Sequence, residues 1–183
     1  MQFATPGHAI EFSTELINGA GPMSTLGRLQ ERPTRGSREG YEHAIDMAYT
    51  ISAEWAASAR ERRIPALVLK AAHGVAEKAE MRELAAAIAH WIEAQLGRPM
   101  TEYVGKAIAS LAVLQQRHHL EGKRPIPRAQ YAKAVGITRQ SASAPRWADL
   151  FARTERHVVD QYRDGAKALA DRLREVGIPV RRY

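Results

Sequence analysis

Apolar residues recur at three- and four-residue steps from Ser37 onward, which is the spacing of one buried face of an α-helix. The first run follows Ser37, a residue type that favours helix N-caps, and includes Tyr41, Ile45, Ala48 and Trp55. Three further runs are separated by charged breaks, glycines or prolines, and they cover residues 65–79, 80–97 and 101–120. The pattern therefore predicts four helices before residue 121.

The last third of the chain shows the same spacing after the proline-containing break at residues 121–127. A final long helix is predicted from Trp147 to about Val176, ended by Gly177 and Pro179. Its apolar stripe contains Phe151, Val158, Tyr162, Ala166, Leu169, Leu173 and Val176. This stripe could pack within the chain or against a second copy in a homodimer, and both outcomes stay open. The expected fold class is all-α, with five to six helices.

Residues 1–37 carry the turn signals "TPG", "NGAGP" and "RPTRGS" and are predicted to be a flexible N-terminal arm. Within them, "AIEFSTELI" fits either a short strand or one helical turn. Arginines recur every three or four residues at Arg28, Arg32, Arg35 and Arg38. They suit either a basic arm along nucleic-acid phosphates or a solvated linker. The predicted organisation is this arm, a helical body over residues 38–122 and a basic region over residues 123–183.

Composition excludes several classes of chemistry. The chain contains no cysteine, so disulfides, thiol nucleophiles and cysteine-based zinc sites are absent. No apolar run reaches about 18 residues, and the N-terminus lacks the pattern of a signal peptide. We therefore expect a cytoplasmic protein with no membrane association. His118 and His119 point about 100° apart on a helix and form no paired metal ligands, so neither a metal nor a cofactor is expected.

The net charge of +7 is concentrated in one part of the chain. Residues 1–120 hold 13 basic and 13 acidic residues, whereas residues 121–183 hold 14 basic and 7 acidic residues. Such an asymmetry suggests a polyanionic partner for the C-terminal part. A solvated basic surface without a partner is the alternative.

A two-helix pattern lies inside this basic region. In "AQYAKAVGITRQS", the small residue Ala132 is followed four positions later by Gly136, a residue type that favours the left-handed turn conformation. Val135 and Ile137 flank the glycine, and Thr138 suits the N-cap of a second helix. The segment resembles the helix-turn-helix of bacterial and phage transcription regulators. Two structural helices joined by a glycine turn remain the alternative.

The resemblance implies that the second helix presents base-reading side chains to the major groove of double-stranded DNA. Arg139 and Gln140 are expected to read bases, and Thr138, Ser141 and Ser143 are further expected DNA-binding residues. The expected phosphate contacts are Lys123, Arg124, Arg128 and Lys133. Pro145 stands where such motifs carry an apolar anchor, and Ala142 where they carry Val or Ile. We therefore expect a short second helix, with Ser143 capping a new helix that has Pro145 in its first turn. Trp147, Leu150 and Phe151 would supply the anchor.

These features favour a double-stranded DNA-binding transcription regulator: a repressor, an activator or a phage-type antiterminator. An antiterminator would add RNA polymerase as a partner. One alternative is a helical adaptor that binds an acidic protein, and a second is an enzyme whose site forms no visible motif. No phosphate-binding glycine loop or catalytic motif is present in the sequence, and we expect no enzymatic activity.

Overall fold

The computed structural model describes residues 2–18 and 38–181, and 79% of these residues are helical. The predicted all-α class and the long C-terminal helix are confirmed. The described residues form eight helices, so the expected five to six were too few. They are α1 (Pro6–Ile17), α2 (Arg38–Glu61), α3 (Arg63–Ala72), α4 (Lys78–Leu96), α5 (Glu102–Leu120), α6 (Arg128–Val135), α7 (Arg139–Ser143) and α8 (Pro145–Glu175).

The chain divides into two compact units whose limits differ from the predicted segments. One unit, here called the continuous unit, is Ile64–Gly165. The other, here called the split unit, combines Met1–Arg63 with Ala166–Tyr183. The long helix α8 contributes residues 145–165 to the first and residues 166–175 to the second.

In the split unit, α1 is a three-turn helix where the sequence suggested loops, a strand or a single turn. The hydroxyl of Thr5 caps it by accepting a hydrogen bond from the N–H of His8 at 3.2 Å, and Pro6 occupies the first turn. Phe3 and Phe12 are fully buried with ring centroids 5.3 Å apart. Phe3 also forms a parallel bridge with Val180, so a C-terminal segment fixes the start of the chain.

The remaining core of the split unit comes from α2 and the end of α8. Ala44, Ala48 and Ile51 are buried on α2. Arg172 forms ion pairs with Glu54, at 3.3 Å, and with Glu61. The predicted basic arm at Arg28, Arg32 and Arg35 lies outside the described residues, as does the side chain of Arg38.

The continuous unit is built on α3, α4 and α5, whose large apolar residues face inward. The fully buried residues include Leu67, Leu69, Leu84, Ile88, Ile92 and Ile108. A reciprocal capping box between Glu77 and Glu80 starts α4, and Gly97, at φ 61°, ends it. The end at Gly97 agrees with the sequence signal, whereas α3 ends at Ala72 and α4 begins at Lys78, so residues 73–77 interrupt the helix predicted over residues 65–79.

The apolar stripe of α8 is buried within the chain. Phe151, Val158, Tyr162, Ala166, Leu169 and Leu173 are each at most 3% exposed, whereas Val176 is 44% exposed. Of the two outcomes left open by the sequence, packing within the chain is the one observed for this stripe. A homodimer remains a prediction, and it would use another surface.

Candidate nucleic-acid interface

The loop that leads into the predicted motif is held by side chains of α5. The amide oxygen of Gln115 accepts a hydrogen bond from the backbone N–H of Ile126 at 2.7 Å. Nδ1 of His118 lies 3.1 Å from the carbonyl oxygen of Arg124. Ile126 is buried, whereas Arg124 is exposed. The loop therefore has a fixed path that presents the arginine to solvent.

The turn between α6 and α7 has the predicted geometry. Gly136 ends α6 in the left-handed conformation, at φ 72° and ψ 29°. The N–H of Ile137 then donates to the carbonyl oxygen of Ala132 at 3.0 Å, which closes the end of the helix. A residue with a side chain is strained at this φ value, so the glycine is required by the turn.

The second helix, α7, is short and capped by Thr138 as predicted. The Thr138 hydroxyl oxygen accepts a hydrogen bond from the N–H of Ser141 at 3.1 Å and lies 2.8 Å from the Ser141 hydroxyl oxygen. Because α7 spans only Arg139–Ser143, nearly all of it is the first turn after the cap.

The break before α8 occurs one residue later than expected. Pro145 starts α8, which confirms the expectation that it begins a new helix. The predicted cap at Ser143 is wrong, because its hydroxyl donates to the carbonyl oxygen of Arg139 at 3.2 Å, within α7. Ala144 instead has extended backbone angles, φ −62° and ψ 143°, as the residue before a proline favours.

An aromatic cluster supports the two short helices. Tyr131 and Phe151 are fully buried with ring centroids 4.8 Å apart, and Trp147 lies 5.7 Å from Phe151. Burial raises the pKa of Tyr131, and the neighbouring Glu155 carboxylate raises it further. Ala142 is fully buried, so it is the inward-facing residue of α7. Trp147, Leu150 and Phe151 lie where the sequence predicted the replacement anchor, although Trp147 is only partly buried.

The predicted DNA-binding residues of α7 and its cap are all exposed, but they differ in their freedom to make new hydrogen bonds. Thr138, Ser141 and Ser143 use their hydroxyl groups within α7 and its cap. Arg139 and Gln140 make no side-chain hydrogen bond or ion pair with the described residues. They are therefore the two long polar side chains that remain available at the N-terminal end of α7.

The four predicted phosphate contacts fall into two groups. Arg124 and Lys133 are exposed and form no ion pair with the described residues. Lys123 is paired with Glu121 at 2.6 Å, and the hydrogen bonds from Lys123 and Arg117 lower the pKa of Glu121 to about 2. Arg128 donates two hydrogen bonds to Glu155, at 2.7 and 3.4 Å.

Arg128 also contacts two aromatic rings of the protein, which hold its guanidinium group in place. Its guanidinium carbon lies 5.2 Å from the ring centroid of Tyr131 and 5.6 Å from that of Phe151. A guanidinium over an aromatic face is attracted by the ring quadrupole. This arginine therefore serves the aromatic cluster, and Arg124 and Lys133 are the better placed cations.

The whole motif lies in a stretch without acidic residues. No aspartate or glutamate occurs between Gly122 and Ala148, whereas six lysines and arginines do. One of the six, Arg146, was not among the predicted contacts. It is exposed in the first turn of α8 and forms no ion pair with the described residues. Its position inside the acid-free stretch was the sequence signal that could have identified it.

Other kinds of site find little support in the part of the chain that the structure describes. No three histidine, aspartate or glutamate side chains there lie close enough together to hold a metal ion. None of the described helices has the length and apolarity required to cross a membrane.

Comparison with known proteins gives no match that would assign a family. No protein-family model matches the chain, and neither does any curated protein or solved structure. The functional argument therefore rests on the residues of this chain alone.

Proposed function

We propose that the chain is a double-stranded DNA-binding transcription regulator that uses α6 and α7 as a helix-turn-helix. Arg139 and Gln140 read base edges, Arg124 and Lys133 contact phosphates, and Arg146 adds a further phosphate contact. A repressor, an activator and a phage-type antiterminator all fit this role, and an antiterminator would also bind RNA polymerase.

The proposal rests on the exposure of Arg139 and Gln140 and on their lack of partners among the described residues. Both are exposed at the N-terminal end of a capped helix, next to a left-handed glycine turn, and neither is engaged by the described residues. Arginine pairs bidentately with guanine and glutamine with adenine in the major groove. Helix-turn-helix proteins contact bases with this end of their second helix.

Positively charged residues on both sides of α7 in the sequence support the same proposal. The acid-free stretch contains six lysines and arginines and no carboxylate that would repel a DNA backbone. Binding through phosphate contacts releases counterions, so affinity should fall linearly on a logarithmic scale as salt concentration rises.

The most informative experiment is selection of genomic fragments by the purified full-length chain, followed by sequencing. We expect a short enriched motif that contains a guanine–cytosine pair contacted by Arg139. Absence of enrichment over a non-specific basic protein would argue against sequence-specific binding.

A paired mutational test separates base reading from general charge. Arg139→Ala should cost about 1–3 kcal/mol of binding free energy at the enriched site and relax the base preference at one position. Lys78→Ala removes an exposed cation outside the acid-free stretch and is the control. Equal effects of the two substitutions on DNA affinity would contradict the proposal.

A helical adaptor that binds an acidic protein is the second candidate function. One observation favours it: on α5, Tyr103 is 71% exposed and Leu114 is 39% exposed, and both lie on one face of the helix. Exposed apolar side chains suit a protein partner. This function predicts no retention of duplex DNA by the purified chain in an electrophoretic mobility assay.

A further inference from the structure

A shallow pocket of about 200 Å³ opens between α4 and α8, apart from the residues of the helix-turn-helix. Its lining residues are Trp91, Arg153, Arg156, His157 and Asp160. The rings of Trp91 and His157 stack with centroids 4.0 Å apart and an interplanar angle of 6°. This stacked pair gives the pocket one rigid flat wall, and the charged residues come from α8.

The two arginines retain unused hydrogen-bond donors. Arg153 pairs with Asp149 at 2.7 Å through one terminal nitrogen, while its Nε–H is buried without a partner among the described residues. Arg156 is exposed and forms no ion pair with the part of the chain that is described. Asp160 lies 3.8 Å from Arg163 and is partly neutralised by it. The pocket therefore has an excess of positive charge.

We infer that this pocket binds a phosphate group. Arginine guanidinium groups donate in a planar fork that matches the oxygens of phosphate, and two of them can share the oxygens of one tetrahedral phosphate group. The pocket is smaller than the range of about 300–1,000 Å³ that is typical for drug-sized ligands, so a compact group fits it better than a large molecule.

Two sources can supply the phosphate. One is a phosphodiester of DNA, because Arg153 lies eight residues after Pro145, roughly 12 Å along α8 at 1.5 Å per residue. Arg146 and Arg153 are seven residues apart and so share a face of that helix. The other source is a free small molecule that carries a phosphate. The inference of a phosphate site does not depend on the helix-turn-helix proposal, because its first test contains no DNA.

The test is a titration of the ¹⁵N-labelled full-length chain with sodium phosphate at constant ionic strength, followed by nuclear magnetic resonance. The indole N–H signal of Trp91, assigned with Trp91→Phe, should shift saturably with phosphate. Arg156→Ala should weaken this binding at least fivefold, whereas Arg82→Ala, an exposed arginine on α4, should leave it unchanged. A linear shift, an equal response to sodium acetate, or equal loss in both variants would overturn the inference.

Measurement of duplex binding by the same two variants identifies the source. If the source is DNA, Arg156→Ala lowers affinity for all duplexes alike and reduces the slope of log affinity against log salt by about one ion. If the source is a small molecule, Arg156→Ala loses phosphate binding and retains duplex binding. Both results support the site, which is refuted only by failure of the phosphate titration.

Discussion

Gly165 allows two backbones in the continuous unit to approach more closely than any side chain would permit. A Cβ atom at this position would lie 2.3 Å from the carbonyl oxygen of Pro65. This oxygen belongs to the backbone of α3, so it cannot move aside as the end of a flexible side chain can. The glycine in the middle of α8 is therefore explained by packing rather than by helix propensity.

Gly165→Ala should accordingly destabilise the protein by about 1–3 kcal/mol, the usual effect of overpacking. Alanine in a helix interior would otherwise add about 1 kcal/mol of stability, so the sign of the change reports the close approach. Urea unfolding at equilibrium measures it. Gly105→Ala is the comparison, since its Cβ would meet the Cβ of Ala89 at 2.9 Å, and we expect a smaller loss. A Gly165→Ala variant as stable as the parent would refute this account.

His157 should make stability fall on acidification. Its burial disfavours the imidazolium and lowers its pKa below the usual 6.5, and the negative charge of Asp160 offsets only part of this effect. The unfolded chain then binds more protons than the folded one near and below pH 6.5, so folding stability decreases as pH falls through this range.

The measurement is the urea midpoint at pH 7.5 and at pH 5.5 for the parent and for His157→Gln. The parent should lose more stability between the two pH values than this variant does. The exposed His119, replaced in the same way, serves as the control. If His157→Gln retains the full pH dependence, His157 is not its source.

At the residue scale, local features were predictable from sequence and distant partners were not. The Thr138 cap and the Gly136 turn depend on neighbours within four positions, and both are confirmed. The pairing of Arg128 with Glu155 joins residues 27 positions apart, so this engagement of Arg128 could not be predicted from the sequence. The free state of Arg139 likewise became visible only in the structure.

Among the helices, the separation of α7 from α8 depends on Pro145. Proline disfavours the helical conformation at Ala144 before it, and it lacks the N–H that a continuous helix would use. Pro145→Ala should lower stability by only about 0.4–1 kcal/mol, mainly through the entropy of the unfolded chain. It should also let α7 and α8 fuse, which would reorient Arg139 and weaken binding at the selected DNA site.

Circular dichroism and DNA affinity together test this expectation. The variant should gain slightly in helical signal while losing affinity. A variant with unchanged helicity and unchanged affinity would show that the break is held by packing of Ala142 and Trp147 rather than by proline.

Lys133 lies near the end of α6 and Arg128 lies at its start, and we expect the two residues to have different roles. Lys133→Ala should weaken all duplex sequences alike and lower the salt dependence by about one ion, because the side chain is free to contact phosphate. Arg128→Ala should instead lower the melting temperature, because it removes the partner of Glu155 and the contact with Tyr131 and Phe151. A lower melting temperature for Lys133→Ala, together with weaker duplex binding for Arg128→Ala, would contradict this assignment of roles.

Helix boundaries were predicted correctly at Gly97 and Pro145, where a glycine and a proline mark them. The helix α1 was not, because "AIEFSTELI" fits two periods equally well over so short a length. The helix begins at the Thr5 cap with Pro6 in its first turn, and these two residues fit a turn as well as a helix start when only the sequence is considered.

For the whole molecule, the predicted positive region can be tested without cutting the chain. A truncation near residue 120 would divide the continuous unit, so charge variants of the full-length protein are preferable. Replacement of Arg124, Lys133 and Arg139 together by glutamate should abolish retention on heparin at moderate salt, because the three remaining cations of the acid-free stretch are then balanced by three carboxylates.

The matched control replaces three exposed cations elsewhere in the same unit, namely Lys78, Arg82 and Arg98, by glutamate. Both triple variants change the net charge equally. If they elute from heparin at the same salt concentration, net charge alone governs retention and the acid-free stretch has no special role.

The division into two units could not be derived from sequence, because it joins the two ends of the chain. Composition and charge patterns group residues that are neighbours in the sequence, so they suggested contiguous segments. The split unit instead depends on the bridge from Phe3 to Val180 and on the ion pairs of Arg172 with α2, which span more than 100 residues. Only tertiary structure reveals such pairings.

The bridge from Phe3 to Val180 also sets the order of events during synthesis on the ribosome. Val180 is translated roughly 10–35 s after Phe3, at about 5–20 residues per second. All of Ile64–Gly165 is made within that interval and can fold first. Until the last residues emerge, Phe3 and Phe12 lack their final environment, so the nascent chain carries exposed aromatic surface of the kind that chaperones bind.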